Sequence, residues 1–459
     1  MLKREIRVCA CAALVVLVAG CHARPDMSMI DRRSRELFRG APVARAVDSS
    51  EQLPVPKLSE VMGKADLLLY LRYGLHHNAA LRSAYEGWRA DLERIPQVTS
   101  LPDPTFSFSQ FIEPIETRTG PQERRYSLSQ TFPWFGKLDL RGSVAGAAAE
   151  EQWYRVQTLR LQIERDIRVA YFDYAYLSQS LRITRGVLEL LQQLEPVVQQ
   201  RIAGADAGQQ DLLRLQVEIG RIENDLASLE KVRPSLSARL AAAMNLRRTA
   251  PLPLPALKEP EVTSVAAQTE QLLQRAEQLN PELRELAERI RKHEHQRELA
   301  GLQRWPDITL GVDYFETGSA LNPGTPSNGD DPFGVRLMFN LPIWGGKYSA
   351  AEREAERGKS AATFALSDRR ATLRADLEHA AFELGDAARQ LVLYRETLLP
   401  RARESLEVTR SAYRAGKSSV LDLIDSERAL LEFETGYWRA CRDHYQNRAR
   451  LEALIGGKL

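Results

Sequence analysis

Residues 124–141, RRYSLSQTFPWFGKLDLR, change period halfway along. Tyr126, Leu128 and Phe132 alternate with Ser127, Ser129 and Thr131, the period of two that gives a strand one apolar and one polar face. Pro133 ends the ladder, Gly136 permits the turn, and from Lys137 the spacing becomes helical. The same junction is written again at 333–347, FGVRLMFNLPIWGGK. There Phe333, Val335, Leu337, Phe339 and Leu341 alternate with Gly334, Arg336, Met338 and Asn340, ahead of Pro342, Gly345 and Gly346. A strand–Pro–Gly–helix junction repeated in this way marks the chain as a duplication.

Working outward, the first repeat spans 65–248. Helical spacing starts near Asp66, pauses at His77-Asn78 and resumes at Ala79. Strands are expected at about 105–112 and 124–132, joined by a polar loop from Glu113 to Glu123. A helix over about 138–201 follows, roughly 95 Å long at 1.5 Å per residue, with Pro196 expected to kink it near its end. Ala170, Tyr174, Leu177, Leu181, Thr184, Leu188 and Leu191 keep the three-four stagger of a helix wound against partners. The chain turns at 203–208 and returns through a helix at about 208–247. A proline-rich linker at 249–264 leads to the second repeat, 265–459. Its strands are expected at about 307–316 and 333–341 and its helices at about 347–414 and 418–456, with Pro400 as an interruption and a turn at 415–418.

The totals narrow the function. The 459 residues carry 63 Lys plus Arg against 61 Asp plus Glu, so no net field favours nucleic acid. Charged residues make up 27%, and past residue 25 no apolar run is long enough for a membrane helix, so any membrane role must use strands. The first residues read as a targeting segment: Lys3, Arg4 and Arg7, then the apolar stretch from Cys9 to Ala19, then Gly20-Cys21. Val18-Ala19-Gly20-Cys21 resembles a bacterial lipobox, which implies a signal peptide over 1–20, lipidation of Cys21 and an extended anchored arm over 21–64. With Cys9 and Cys11 removed and Cys21 acylated, Cys441 is the one remaining thiol, so no internal disulfide is expected.

Four amphipathic strands match the length that crosses a bilayer at a tilt, yet they cannot close, and an open edge in lipid is prohibitively costly. Other copies of the chain must complete the wall: two copies would give eight strands with a filled interior, three would give twelve and a water-filled bore. The helices are too polar for lipid and too long for a compact core, so they bury their seams against one another. The fold class is therefore mainly α with a transmembrane β-barrel built from duplicated strand hairpins and long helical hairpins. A lipid-anchored periplasmic coiled-coil scaffold that never spans the membrane is the alternative.

The lipobox, the duplicated junctions, Asn280-Pro281, and Tyr413-Arg-Ala-Gly416 leading to Leu421-Asp-Leu-Ile-Asp425 together resemble the TolC-type outer-membrane factors. The resemblance covers essentially the whole mature chain and departs from the family at Asn78-Ala79, where Asn-Pro is usual. It implies a homotrimer with a twelve-stranded barrel in outer-membrane lipid and an α-helical tunnel through the periplasm. It implies as partners a periplasmic adaptor and an inner-membrane transporter of the resistance-nodulation-division class. The Phe132-Pro-Trp-Phe-Gly-Lys137 form resembles members that accompany heavy-metal pumps, so metal cations or drugs are the expected substrates.

Asp422 and Asp425 lie three apart and share one face of the last helix. The resemblance places them in a carboxylate ring at the periplasmic gate; the competing role is to complement the helix dipole. The turns containing Gly204, Gly208, Gly416, Lys417 and Ser418 are expected to meet the adaptor, against a plain turn role. Trp134 and Trp344 suit the aromatic girdle of a barrel or, alternatively, core packing. His293 and His295, two apart on a helix, point to nearly opposite sides and cannot share an ion. No metal or cofactor is expected, and no phosphate loop, nucleophile elbow or zinc-ligand spacing marks an enzyme.

Overall fold

A computed structural model of the chain describes residues 27–38, 55–204, 208–247, 251–261 and 269–459. The lipobox, Cys21 and most of the 1–64 segment lie outside these residues. Part of the stretch read as an extended arm is helical: α1 is Met27–Phe38 and α2 is Leu58–Gly63. The helical period there was short enough to miss. Ile30 and Leu37, seven residues apart, are nonetheless both buried, and the Glu60 carboxylate accepts from the Lys57 backbone N–H at 3.3 Å at the start of α2.

Helices α3 (Leu67–His77) and α4 (Ala79–Thr99) follow, separated at Asn78. Asn78 does the work of a cap without the usual proline after it: its side chain accepts from the Leu81 backbone N–H at 3.0 Å. Asn280 is its counterpart before Pro281, accepting from Glu282 and Leu283. Strands β1 (Thr105–Thr117) and β2 (Gly120–Phe132) come next, then α5 (Lys137–Ala203) and α6 (Gln209–Ala243). The second half gives α7 (Thr269–Leu279), α8 (Pro281–Leu302), β3 (Ile308–Thr317), β4 (Phe333–Phe339), α9 (Gly345–Leu393), α10 (Leu399–Arg414) and α11 (Val420–Ile455).

The structure refines the sequence reading at three places. The polar loop expected at 113–123 is mostly strand, and only Arg118-Thr119 turn the hairpin. Pro114 does not stop β1 because it falls in the irregularity between Gln110 and Ile115 of an edge strand. The helix expected over 347–414 with an interruption at Pro400 is interrupted by a π-turn, Tyr394–Leu398. It sits just ahead of Pro400, whose ring and missing N–H conflict with the preceding α-helical turn. Pro196, by contrast, lies inside α5, which continues to Ala203.

The chain divides into two compact units, and each draws on both halves of the sequence. One gathers residues 86–153 and 284–367, the other 28–85, 154–283 and 368–459. The first unit contains a single antiparallel sheet in the order β1-β2-β3-β4. Its helical part packs around Trp88, fully buried with its ring 4.7 Å from that of Trp153. The second unit is all helix, with Tyr70, Leu75, Ile167, Tyr174 and Leu240 fully buried. The predicted seam of α5 faces inward here: Ala170, Tyr174, Leu177, Leu181, Thr184 and Leu191 are all buried. No helix among the described residues is long and apolar enough to cross a membrane.

Candidate functional site: the two-faced sheet and the paired helix turns

Register makes the period-two pattern continuous across all four strands. Phe106, Leu128, Val312 and Val335 form one row, and Phe108, Tyr126, Tyr314 and Phe333 the next. Aromatic contacts run along that second row, with ring centroids 5.3 Å apart for Phe108–Tyr126 and 6.1 Å for Tyr126–Tyr314. This apolar face is open to the surroundings: Phe106 is 65% exposed and Val335 77%. One row further along, Arg124 and Glu316 pair at 3.0 Å. The opposite face carries Ser127, Asp313, Arg125 and Arg336, and Thr131 meets Thr309 at 2.8 Å. The outer strands, β1 and β4, each have one unpaired edge.

The strand–helix junctions turn out unequal. Gly136 adopts φ +82°, which a residue with a side chain resists. Gly345 and Gly346 form the first turn of α9 with ordinary helical backbone, and β4 stops at Phe339, short of the expected 341 and three residues before Pro342, where its partner β3 begins at Ile308. At the first junction Lys137 is buried and reaches Asp307 at 2.7 Å and the Trp305 carbonyl at 2.8 Å. The Trp134 backbone N–H also donates to Asp307, and the Trp134 ring stacks on Trp305 at 5.1 Å. Trp344 has no such partner and is 72% exposed.

In the second unit the ends of α5, α6, α10 and α11 share one apolar cluster: Leu191 and Val198, Leu215 and Ile222, Tyr413, then Val420, Leu423 and Ile424. The two predicted turns are therefore brought to one place. Gly416 takes φ +74° and closes α10 in a Schellman arrangement, with Lys417 N–H bonding the Ala412 carbonyl at 2.8 Å. Gly208 is not left-handed; it caps α6 with φ −91°. Arg201, which the sequence reading passed over, joins the turns. It donates to the Tyr413 carbonyl at 2.9 Å and lies over the Tyr413 ring at 4.7 Å.

Asp422 and Asp425 both lie exposed on the first turns of α11, in different electrostatic settings. The Asp422 carboxylate accepts from the Ser419 N–H at 2.9 Å, the Ser419 hydroxyl at 2.8 Å and the Ser418 hydroxyl at 3.0 Å. Those donors, the backbone one first, hold it below the usual carboxylate range. Asp425 instead lies 3.5 Å from Arg428, which also grips the buried Glu218 of α6. The acidic pair is thus a cap plus a compensated charge within each chain.

Residues 272–457 match the outer membrane efflux protein family. The match lies in the second half of the chain. A relative in sequence, nodulation protein T of Rhizobium leguminosarum bv. trifolii, is 24% identical over 416 residues, covering 85% of each chain. Among solved structures, the outer-membrane channel OprN superposes with a TM-score of 0.68 at 18% identity, covering 95% of this chain and 99% of its own. VceC of Vibrio cholerae gives 0.65 at 17%, covering 85% and 96%. MtrE of Neisseria gonorrhoeae gives 0.67 at 18%, covering 91% and 98%. These likenesses establish the fold, mainly helical with few strands and shared with those channel proteins.

Proposed function

We propose that this chain is the outer-membrane subunit of a tripartite efflux system, a passive exit duct fed by an inner-membrane transporter through a periplasmic adaptor. The observation that carries the reading is the sheet. Its apolar face spans four strands and stays exposed, and its two edges are unpaired, an arrangement that is stable in lipid only when other copies close it. Three copies would give twelve strands and a water-filled bore, the assembly that the family resemblance favours. Cys21 would carry the lipid anchor, and the turns at Gly204–Gly208 and Gly416–Ser418 would face the adaptor. Leu213 and Val217, one turn apart on α6 and 56% and 73% exposed, offer apolar surface beside those turns. The exported substrate, metal cation or drug, would be chosen mainly by the transporter.

A cysteine at Asn322 tests the spanning topology. Asn322 lies in the loop between β3 and β4 and is exposed, while the native Cys441 is buried and silent. A membrane-impermeant maleimide should label Asn322→Cys in intact cells; labelling only after the outer membrane is broken would favour the periplasmic scaffold instead. The gate reading predicts that Asp422→Ala with Asp425→Ala raises single-channel conductance in planar bilayers. Because Asp422 also caps α11 through Ser419, an Asp422→Asn variant, which keeps an acceptor, should give part of the increase with the cap retained. An unchanged conductance in both would remove these residues from the gate.

A further inference from the structure

The polar face of the sheet carries an uneven set of charges. Between the Thr131–Thr309 row and the Ser109–Arg125–Phe315 row, the charged groups that the register places on that face are Arg125 of β2, Asp313 of β3 and Arg336 of β4. Asp313 is the hub. Arg125 donates to its Oδ1 through Nε at 3.3 Å and Nη2 at 3.0 Å, and the Ser127 hydroxyl donates to the same oxygen. Arg336 stands on the other side, with Nε 3.8 Å from Oδ2, too far for a hydrogen bond, and that Nε has no hydrogen-bond partner. Gly311 makes the place for it: a Cβ there would come within 3.4 Å of the guanidinium nitrogens. One carboxylate thus faces two guanidiniums, and one positive charge per chain is left over.

We propose that Arg336, with Arg125 and Asp313, biases the bore of the channel toward anions. The proposal rests on the reading of the sheet as the wall of a water-filled barrel made of several copies. In that setting each copy adds one uncompensated guanidinium to a ring facing water. Arg125 and Ser127 saturate Asp313 Oδ1, whereas Arg336, whose side chain is 33% exposed, stays 3.8 Å from Oδ2 and adds its charge to the potential that a passing carboxylate, phosphate or chloride meets. Cations meet the same ring as a repulsive potential, with a reach set by the ionic strength. Of the two substrate classes proposed above, this wall favours drugs, as anionic or zwitterionic solutes, over metal cations.

The test is the reversal potential of purified channels in planar bilayers under a KCl gradient of about 10 to 100 mM, where screening is weak. Arg336→Gln should lower the chloride-to-potassium permeability ratio roughly twofold, the scale for unit charges about 10 Å from an ion in water. Asp313→Asn should raise the ratio, and Arg336→Lys should keep it close to wild type. Only channels that fold give traces, and both Arg336 variants leave the Arg125–Asp313–Ser127 bonds in place. A purely structural role for the cluster would move the Gln and Asn variants in the same direction or leave both unmoved, and either result overturns the proposal. Failure of the wild-type protein to conduct at all would instead overturn the channel reading on which the proposal rests.

Discussion

Replacing Arg428 with Met is expected to loosen the junction of α6 and α11 by about 2 kcal/mol, half of what removal of one partner from a fully buried ion pair costs. Arg428 holds the Glu218 carboxylate through two bonds, Nε to Oε1 at 3.1 Å and Nη2 to Oε2 at 2.5 Å. The Glu218 side chain is only 3% exposed, so its charge depends on cations rather than on water. Two facts reduce the loss. Arg221 remains 3.3 Å from the same carboxylate, and the Arg428 side chain is itself 44% exposed. Native-state hydrogen exchange of amides in α6 and α11 reads the local opening, and a 2 kcal/mol loss corresponds to roughly 30-fold lower protection. Adding Glu218→Met to Arg428→Met should restore most of the protection, because the buried charge leaves with its partner. A double variant as exposed as the single one would show that packing, not the stranded carboxylate, is responsible. The single variant also removes the cation 3.5 Å from Asp425, so the negative field near the turns should rise as the helices loosen.

What the sequence made legible was whatever repeats with a short period. Alternation along 126–132 and 333–339 announced two-faced strands, and the register extends that alternation into rows across the sheet. The three-four stagger of α5 announced which residues are buried, from Ala170 to Leu191. Both signals are local, written within a few residues and read by counting. The duplicated junction was visible for the same reason, although the two copies solve the turn differently: Gly136 uses a left-handed backbone and Gly345-Gly346 do not.

What stayed hidden depends on residues far apart in the chain. Glu218 and Arg428 are 210 positions apart, and Arg125 and Asp313 are 188 apart. In the sequence each is one more polar residue on an alternating or helical face. Only the pairing of β2 with β3, and of α6 with α11, makes them a network. Element ends were hidden for another reason. Pro114 reads as a stop but sits in an irregular edge segment that tolerates it, and Pro400 reads as a break but is absorbed by a π-turn. Proline announces a conflict with regular hydrogen bonding and does not say how the chain resolves it.

Glu427 is the second group whose removal should have a large effect, and here the effect depends on pH. Its side chain is buried on α11, and Oε1 has no hydrogen-bond partner. Burial pushes its carboxyl from the ordinary 4.5 up to about 7, against the pull of Arg410 on α10 and with the help of Glu434 on its own helix. Glu434 is itself held by Arg403 at 3.1 Å. The sign follows from the direction of the shift. Below about pH 4.5 Glu427 is protonated whether the chain is folded or unfolded, and it carries no penalty. Between about 4.5 and 7 the unfolded chain ionises while the folded one keeps its proton, so the stability of the wild-type protein falls as pH rises, and above 7 the loss is complete. Glu427→Gln removes the ionisation and keeps the shape. It is therefore expected to match wild type near pH 4 and to exceed it by about 3 kcal/mol above pH 7, the free energy of a shift of this size. Thermal midpoints of the two proteins measured side by side from pH 4 to 8 should diverge upward in favour of the variant. A difference that is flat across that range would mean that Glu427 is ionised throughout, with Arg410 drawn in to pair with it, and the contact between α10 and α11 would then be a salt bridge rather than a neutral, buried acid.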